Sequence, residues 1–222
     1  MKIRWKLTDE NDQTSYQMQW GKNITHQRAG TGRLCTSGWI HVYSDPLLAV
    51  LLNPIHRYFP DPHLWKCHVG GHYLGDRGLK EGWSKVTTLK RVDLPDITLV
   101  QKVAFAVLCA LEIYKQTDFV IWANNWLNNI DRSGVAAKAT YTAAKTVANA
   151  AYVASKAAAE NAATTAAYAA KAAYAAYTAA YAAKAAYAEY SAYAAGYTAI
   201  NAVNTVANLN LKKLIKKAVT YV

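Results

Sequence analysis

Hydrophobic and polar positions follow one rhythm in the front of the chain and another behind it. MKIRWKL, SYQMQW, SGWIHVY, LWKCHV and WSKVTTLKRVDL read as short strands separated by turns containing Gly, Pro and Asp. Some of these predict a single twisted, mainly antiparallel sheet. Asp45-Pro46 followed by LLAVLLNPIHRYF predicts a helix with Asp45 near its cap and Pro46 in its first turn, which Pro54 interrupts or ends. Thr98 through Tyr114 is a second helix, with Val103, Ala106, Val107 and Ala110 on its apolar face. Asp118 through Asn129 is a third, placing Phe119, Trp122 and Trp126 at near-helical intervals.

Beyond Gly134 the chain has almost no helix breakers apart from Gly196, and its high alanine content predicts long helices. Lys138, Tyr141, Lys145, Asn149, Tyr152, Lys156 and Glu160 recur every three or four residues and fall on one narrow face, leaving an undecorated Ala-rich face opposite. AAYAAKAAYAAYT at 166–178 then returns as AAYAAKAAYAEYS at 179–191, an internal repeat identical at 11 of 13 positions. Its Tyr and Lys residues recur mostly every third position, so they wind around a helix axis instead of forming a stripe. Such a helix leaves apolar area on every side and predicts packing against other helices, with Thr164-Thr165, Ser191 and Gly196 as candidate bends. The expectation is an α+β chain: a small sheet domain with covering helices at 1–97, connecting helices at 98–134, and an Ala/Tyr-rich hairpin or bundle at 135–222.

Composition sharpens this division. All seven Trp and all six His precede residue 131, whereas 36 of the last 88 residues are Ala. The net charge of +11 is also uneven, because nine Lys against Glu160 and Glu189 put +7 after residue 134 and leave +4 before it. An anionic partner is therefore expected: a host protein or nucleoprotein complex, or DNA or RNA directly, with self-association through the Ala/Tyr helices as a further use. Lys171, Lys184, Lys212, Lys213, Lys216 and Lys217 are the expected electrostatic contacts, with Tyr174, Tyr177, Tyr187 and Tyr190 packing or touching the partner. No Arg lies in this region to read bases bidentately, so sequence-specific recognition is not expected. The ending LNLKKLIKKAV separates Leu211, Leu214, Ile215 and Ala218 from four lysines when wound as a helix. It predicts a basic amphipathic end that docks on the protein itself, with membrane contact less favoured.

Candidate chemistry is sparse. Cys35, Cys67 and Cys109 are few and widely spaced, which fits a reducing compartment, and MKIRWKLTDEND lacks the apolar run of a secretory signal. Cys35, His41, Cys67, His68 and His72 lack the paired spacing of structural zinc sites, so neither metal nor cofactor is expected. His56 and His63 with Asp45, Asp61 and Asp76 could supply acid–base groups, but no GxSxG, HExxH or Walker loop accompanies them. The Gly30-Thr31-Gly32 turn is flexible enough to approach a phosphate. A non-catalytic role is favoured.

Gly32 through Tyr43, followed by Asp45-Pro46, carries Cys35, Gly38 and His41 in a Cys-x-x-Gly-x-x-His spacing. Over about residues 1–95 this resembles an uncharacterised domain family found largely in phage and prophage proteins. The resemblance implies a phage accessory protein that binds and blocks host machinery in the host cytoplasm, and it supplies no catalytic residues. More remotely, the front resembles an ADP-ribosyl-transfer-like sheet domain. That likeness implies a nucleotide- or NAD-using transferase with Gly30, Thr31, Gly32, Trp39, His41 and Tyr43 lining the cleft. A structural assembly role built on the tail is the remaining alternative.

Overall fold

Alternation of apolar Ile3, Trp5 and Leu7 with charged Lys2, Arg4 and Lys6 in the first strand begins a sheet that the next ninety residues complete. The computed structural model describes residues 2–159, 163–186, 191–206 and 208–222. The chain forms two units, Met1–Ile97 with Asn210–Lys212, and Thr98–Leu209 with Lys213–Val222. It is an α+β protein, a sheet-and-helix region followed by a helical bundle.

The first unit contains β1 (Lys2–Thr8), β2 (Gln13–Thr14), β3 (Met18–Gln19), β4 (Thr25–Gln27), β5 (Ile40–Val42), α1 (Pro46–His56), β6 (His63–Asp76) and β7 (Lys80–Val92). The main sheet runs β1-β6-β7-β4, all antiparallel, and β5 pairs with β7 further along the same strand. Trp5 of β1 exchanges backbone hydrogen bonds with Tyr43, one residue beyond β5, at 3.0 and 2.8 Å. The sheet thus curls back on itself, and both edges of β1 acquire hydrogen-bonded neighbours. Trp20, Ile40, Val42, Cys67, Val69, Trp83 and Val86 form the core beneath it. The β6–β7 hairpin bulges between Gly70 and Tyr73, where Gly71 takes φ +75° and a Cβ would lie 2.1 Å from Ser84 Oγ. Only glycine fits there without moving Ser84.

In α1 the Asp45 carboxylate accepts the Leu47 N–H at 3.1 Å and Pro46 opens the first turn, as the sequence predicts. Pro54 does not stop the helix, which runs on to His56. So near the C-terminus, proline forfeits a single intrahelical bond, and the fully buried Leu48, Leu51 and Leu52 hold the preceding turns in place.

The helices that follow are α2 (Leu99–Ile113), α3 (Thr117–Leu127), α4 (Gly134–Ala159), α5 (Ala163–Ala185), α6 (Ser191–Thr205) and α7 (Leu211–Ala218). Thr98 and Gln101 close a reciprocal capping box at the start of α2. Residues Val103 to Cys109 of α2 are buried without interruption, and this helix packs against both α5 and α6. α5 packs against α4, α6 and α2, which accounts for its winding pattern: a helix with neighbours on three sides needs small residues on all of them. Thr164 and Thr165 stand in the first turn of α5, Ser191 opens α6, and α6 continues through Gly196 without ending.

α4 departs from expectation in one respect. Its buried residues Ala137, Ala144 and Ala148 lie about a quarter turn from the Lys/Tyr stripe instead of opposite it. The far side stays in solvent, with Val135 81% and Val153 65% exposed. In α7, Leu211, Leu214, Ile215 and Ala218 are buried and all four lysines are exposed. Among the described residues, no helix is long and apolar enough to cross a membrane.

Candidate functional site

α4 and α5 run antiparallel, since Tyr177 and Asn149, which stand at nearly equal distances from the connection, meet through a hydrogen bond of 2.8 Å from the Tyr177 hydroxyl to Asn149 Oδ1. Beside this contact the two helices leave a recess of ≈ 220 Å³ lined by Tyr152, Ser155, Ala170, Ala173, Tyr174 and Tyr177. It exists because alanine fills the floor while tyrosine stands at the rim: Ala173 is buried, whereas Tyr152 and Tyr174 are 48% and 50% exposed. Lys156 Nζ sits 5.0 Å from the centre of the Tyr152 ring, and Lys145 Nζ 5.5 Å from that of Tyr141. Both cations are thereby held along the α4 stripe by the ring faces. Lys138, Lys145, Lys156 and Lys171 are exposed, and Lys184 is half-buried.

Of the residues expected at a partner surface, Tyr174 and Tyr177 line this recess, and Lys171 stands exposed on the same helix. Lys212, Lys213, Lys216 and Lys217 form a separate exposed row on α7. Tyr187 and Tyr190 lie outside the described residues, as do Glu160 and Glu189, the only carboxylates after Asp131. A second tyrosine cluster joins α5 to α6, with Tyr181 stacked on Tyr197 at 5.6 Å and Tyr193 against Tyr197 at 4.6 Å. Tyr152 carried no signal of its own beyond its place in the stripe, and the helix register alone brings it opposite Tyr174.

In the sheet unit, Gly30, Thr31 and Gly32 fold back on their own loop. The Gly30 N–H donates to Gly38 O at 2.8 Å, Trp39 Nε1 donates to Gly32 O at 3.0 Å, and the Thr31 carbonyl occupies the space a Cβ on Gly38 would need. Trp39, His41 and Tyr43, in contrast, line two adjoining cavities of ≈ 240 and ≈ 130 Å³, with His41 common to both. The His41 ring bonds to the Leu34 carbonyl, and burial holds its pKa below the usual histidine value. The Tyr43 hydroxyl lies 3.2 Å from His56 Nδ1, with the two rings stacked at 5.9 Å. Burial pushes the Tyr43 phenol up and takes the His56 imidazole down to about 3.

Asp12, His63 and Asp45 serve the fold. Asp12 Oδ1 accepts from His63 Nδ1 and Trp65 Nε1, both at 2.9 Å, and Oδ2 accepts from Arg91. Asp45 caps α1. Cys67 and Cys109 are buried, Cys35 is exposed, and among the described residues no three His, Cys, Asp or Glu side chains stand together as a metal site.

Comparison with known protein families, curated proteins and solved structures finds no match for this chain. The likeness to a phage-associated family stays an expectation from the sequence, carried by Cys35, Gly38 and His41, the Asp45-Pro46 helix start and the segments 64–69 and 85–87.

Proposed function

We propose that the helical unit binds single-stranded nucleic acid without sequence preference, as a non-catalytic binding protein. Bases would stack on Tyr152 and Tyr174, and Lys145, Lys156 and Lys171 would follow the phosphates. The observation that carries this reading is the tyrosine-rimmed recess between α4 and α5, two helices that also carry exposed lysines. Every base offers a π face to such a platform, while the lack of Arg in these helices removes the bidentate contacts that would select among bases. On the likeness at Cys35, Gly38 and His41, the wider role is that of a phage accessory protein engaging a host nucleoprotein complex in the host cytoplasm.

Fluorescence anisotropy with a labelled oligothymidine, competed by unlabelled oligonucleotide or by polyglutamate, tests the reading. Tyr152→Ala and Tyr174→Ala are each expected to weaken oligonucleotide binding about 5- to 100-fold. Polyglutamate binding as tightly as oligonucleotide, with the tyrosine variants unaffected, would instead make this a surface for acidic proteins and overturn the proposal.

A further inference from the structure

The sheet unit holds a second arrangement that the helices do not share. The two adjoining cavities are lined by Lys6, Arg28, Arg57, Lys80, His41 and His56 among their polar groups, and among the described residues no carboxylate lines either of them. Lys6 stands at their junction. Its side chain is buried, at 7% exposure, and the ammonium meets the His41 carbonyl at 3.0 Å and the Trp20 ring face at 5.3 Å. A buried ammonium is expensive to desolvate and is ordinarily matched by an anion. Here the fold supplies a carbonyl and a ring instead, and burial lowers its pKa to about 8. Arg4, two residues earlier on the same face of β1, is matched by Glu81 in the usual way, so the strand accommodates a carboxylate partner where one is required.

Around Lys6 the cleft presents the other parts of an anion site. Arg57 comes from the end of α1, where its Nη1 donates to Ser15 Oγ at 2.9 Å, which aims the guanidinium along the cavity wall. Lys80 opens β7 and points its Nζ at Cys35 Sγ, 3.3 Å away. Thr14 and Ser15 bring hydroxyls to both cavities, and Tyr43, His56 and Phe59 form an aromatic side wall in the larger one. We propose that this cleft binds a small phosphate monoester, with the phosphoryl group against Lys6, Arg57 and Lys80 and the organic part along Tyr43, His56 and Phe59. A guanidinium fork and two point charges suit the dianion, the hydroxyls suit its remaining oxygens, and the ≈ 240 Å³ cavity leaves room for a ring or a short chain beside it. The site lies wholly within Met1–Ile97 and does not depend on the helical lysines.

Isothermal titration of the full chain at low ionic strength, with inorganic phosphate, a nucleoside 5′-monophosphate and the matching nucleoside as probes, tests the proposal. Both phosphates are expected to bind, the monophosphate more tightly, and the nucleoside to give no heat. Lys6→Met keeps the volume of the side chain and removes its charge, and is expected to weaken phosphate binding about 10- to 100-fold. Arg57→Gln, at an exposed position that leaves the core intact, should weaken it about tenfold. Far-ultraviolet circular dichroism confirms that each variant is folded. Absence of binding by both phosphates at millimolar concentration would overturn the site. So would phosphate affinity unchanged in both variants, or nucleoside binding as tight as that of its monophosphate.

Discussion

The Tyr177 hydroxyl donates to Asn149 across the α4–α5 seam at 2.8 Å, so two residues that look like surface decoration in the sequence hold each other. Tyr177 therefore has a packing role, and its ring closes one side of the recess. Tyr177→Phe keeps the ring and removes the bond. It should lower the stability of the helical unit by about 0.5–1 kcal/mol in urea denaturation while leaving oligothymidine affinity within about twofold. A large loss of affinity with unchanged stability would assign the hydroxyl to the partner instead.

Asp12 gathers donors from three different positions, His63, Trp65 and Arg91, and so ties the β1–β2 turn to β6 and β7. Burial disfavours its charged form, but the Trp65 and His63 hydrogen bonds and the Arg91 charge outweigh that, and its pKa falls below the usual carboxylate value. The carboxylate thus stabilises the fold above the unfolded-state pKa, and that contribution is lost as pH falls through the lowered folded-state value. Asp12→Asn should cost about 2 kcal/mol at neutral pH, measured by urea melts monitored through tryptophan fluorescence, with the gap narrowing in acid.

His56 is kept neutral by burial beside Tyr43, with Lys80 and His41 adding to the effect, and its pKa lies near 3. Folding then favours the unprotonated ring. Stability from this group is complete above about pH 6.5 and drains away as the medium is acidified toward 3. His56→Phe retains the stacking and removes the titration. The wild type should lose on the order of 3 kcal/mol more than the variant between these limits, and parallel acid profiles for the two proteins would contradict the assignment.

For Lys6 the direction is set by a depressed ammonium pKa, about 8 when folded against the ordinary lysine value of 10.5. Below about 8 the folded protein carries the buried charge; between 8 and 10.5 the unfolded chain binds more protons and stability rises with pH. The buried thiols work the other way, with Cys67 raised to about 12 by burial and Cys109 raised well above its ordinary value. Comparison with Lys6→Met cancels the Cys109 contribution and the part of the Cys67 shift that comes from burial. The wild type should gain about 3 kcal/mol on the variant across that window in the absence of phosphate.

Most of the strands, the Asp45-Pro46 helix start and the helical tail are legible because each is written in local pattern: alternation, capping chemistry and alanine propensity. SYQMQW is the exception, since Ser15–Gln17 turn as a 3-10 helix and only Met18–Gln19 pair as a strand. Pro54 misled, since proline near a helix end costs little when buried leucines hold the turns before it. The exposed flank of α4 was illegible too, because the Lys/Tyr stripe says where charge lies but not which adjacent side a neighbour will take. Lys6 looks in sequence like the outer face of an edge strand, in line with Lys2 and Arg4. It is buried because Trp5 and Tyr43 close the sheet, a pairing 38 residues apart that no local pattern announces. The tyrosine recess stands between these cases: Tyr174 is legible as a residue, but its partner Tyr152 follows only from the register of α4 against α5.

The salt dependence of oligothymidine binding tests the central claim most directly. Each lysine contact to a single strand contributes about 0.7 to the slope of log K against log salt. Replacing Lys145, Lys156 and Lys171 together by Gln should reduce that slope by about 2 and weaken binding at every salt concentration. An unchanged slope in the triple variant, or no binding by the wild type even at low ionic strength, would contradict the nucleic-acid role of the helical unit.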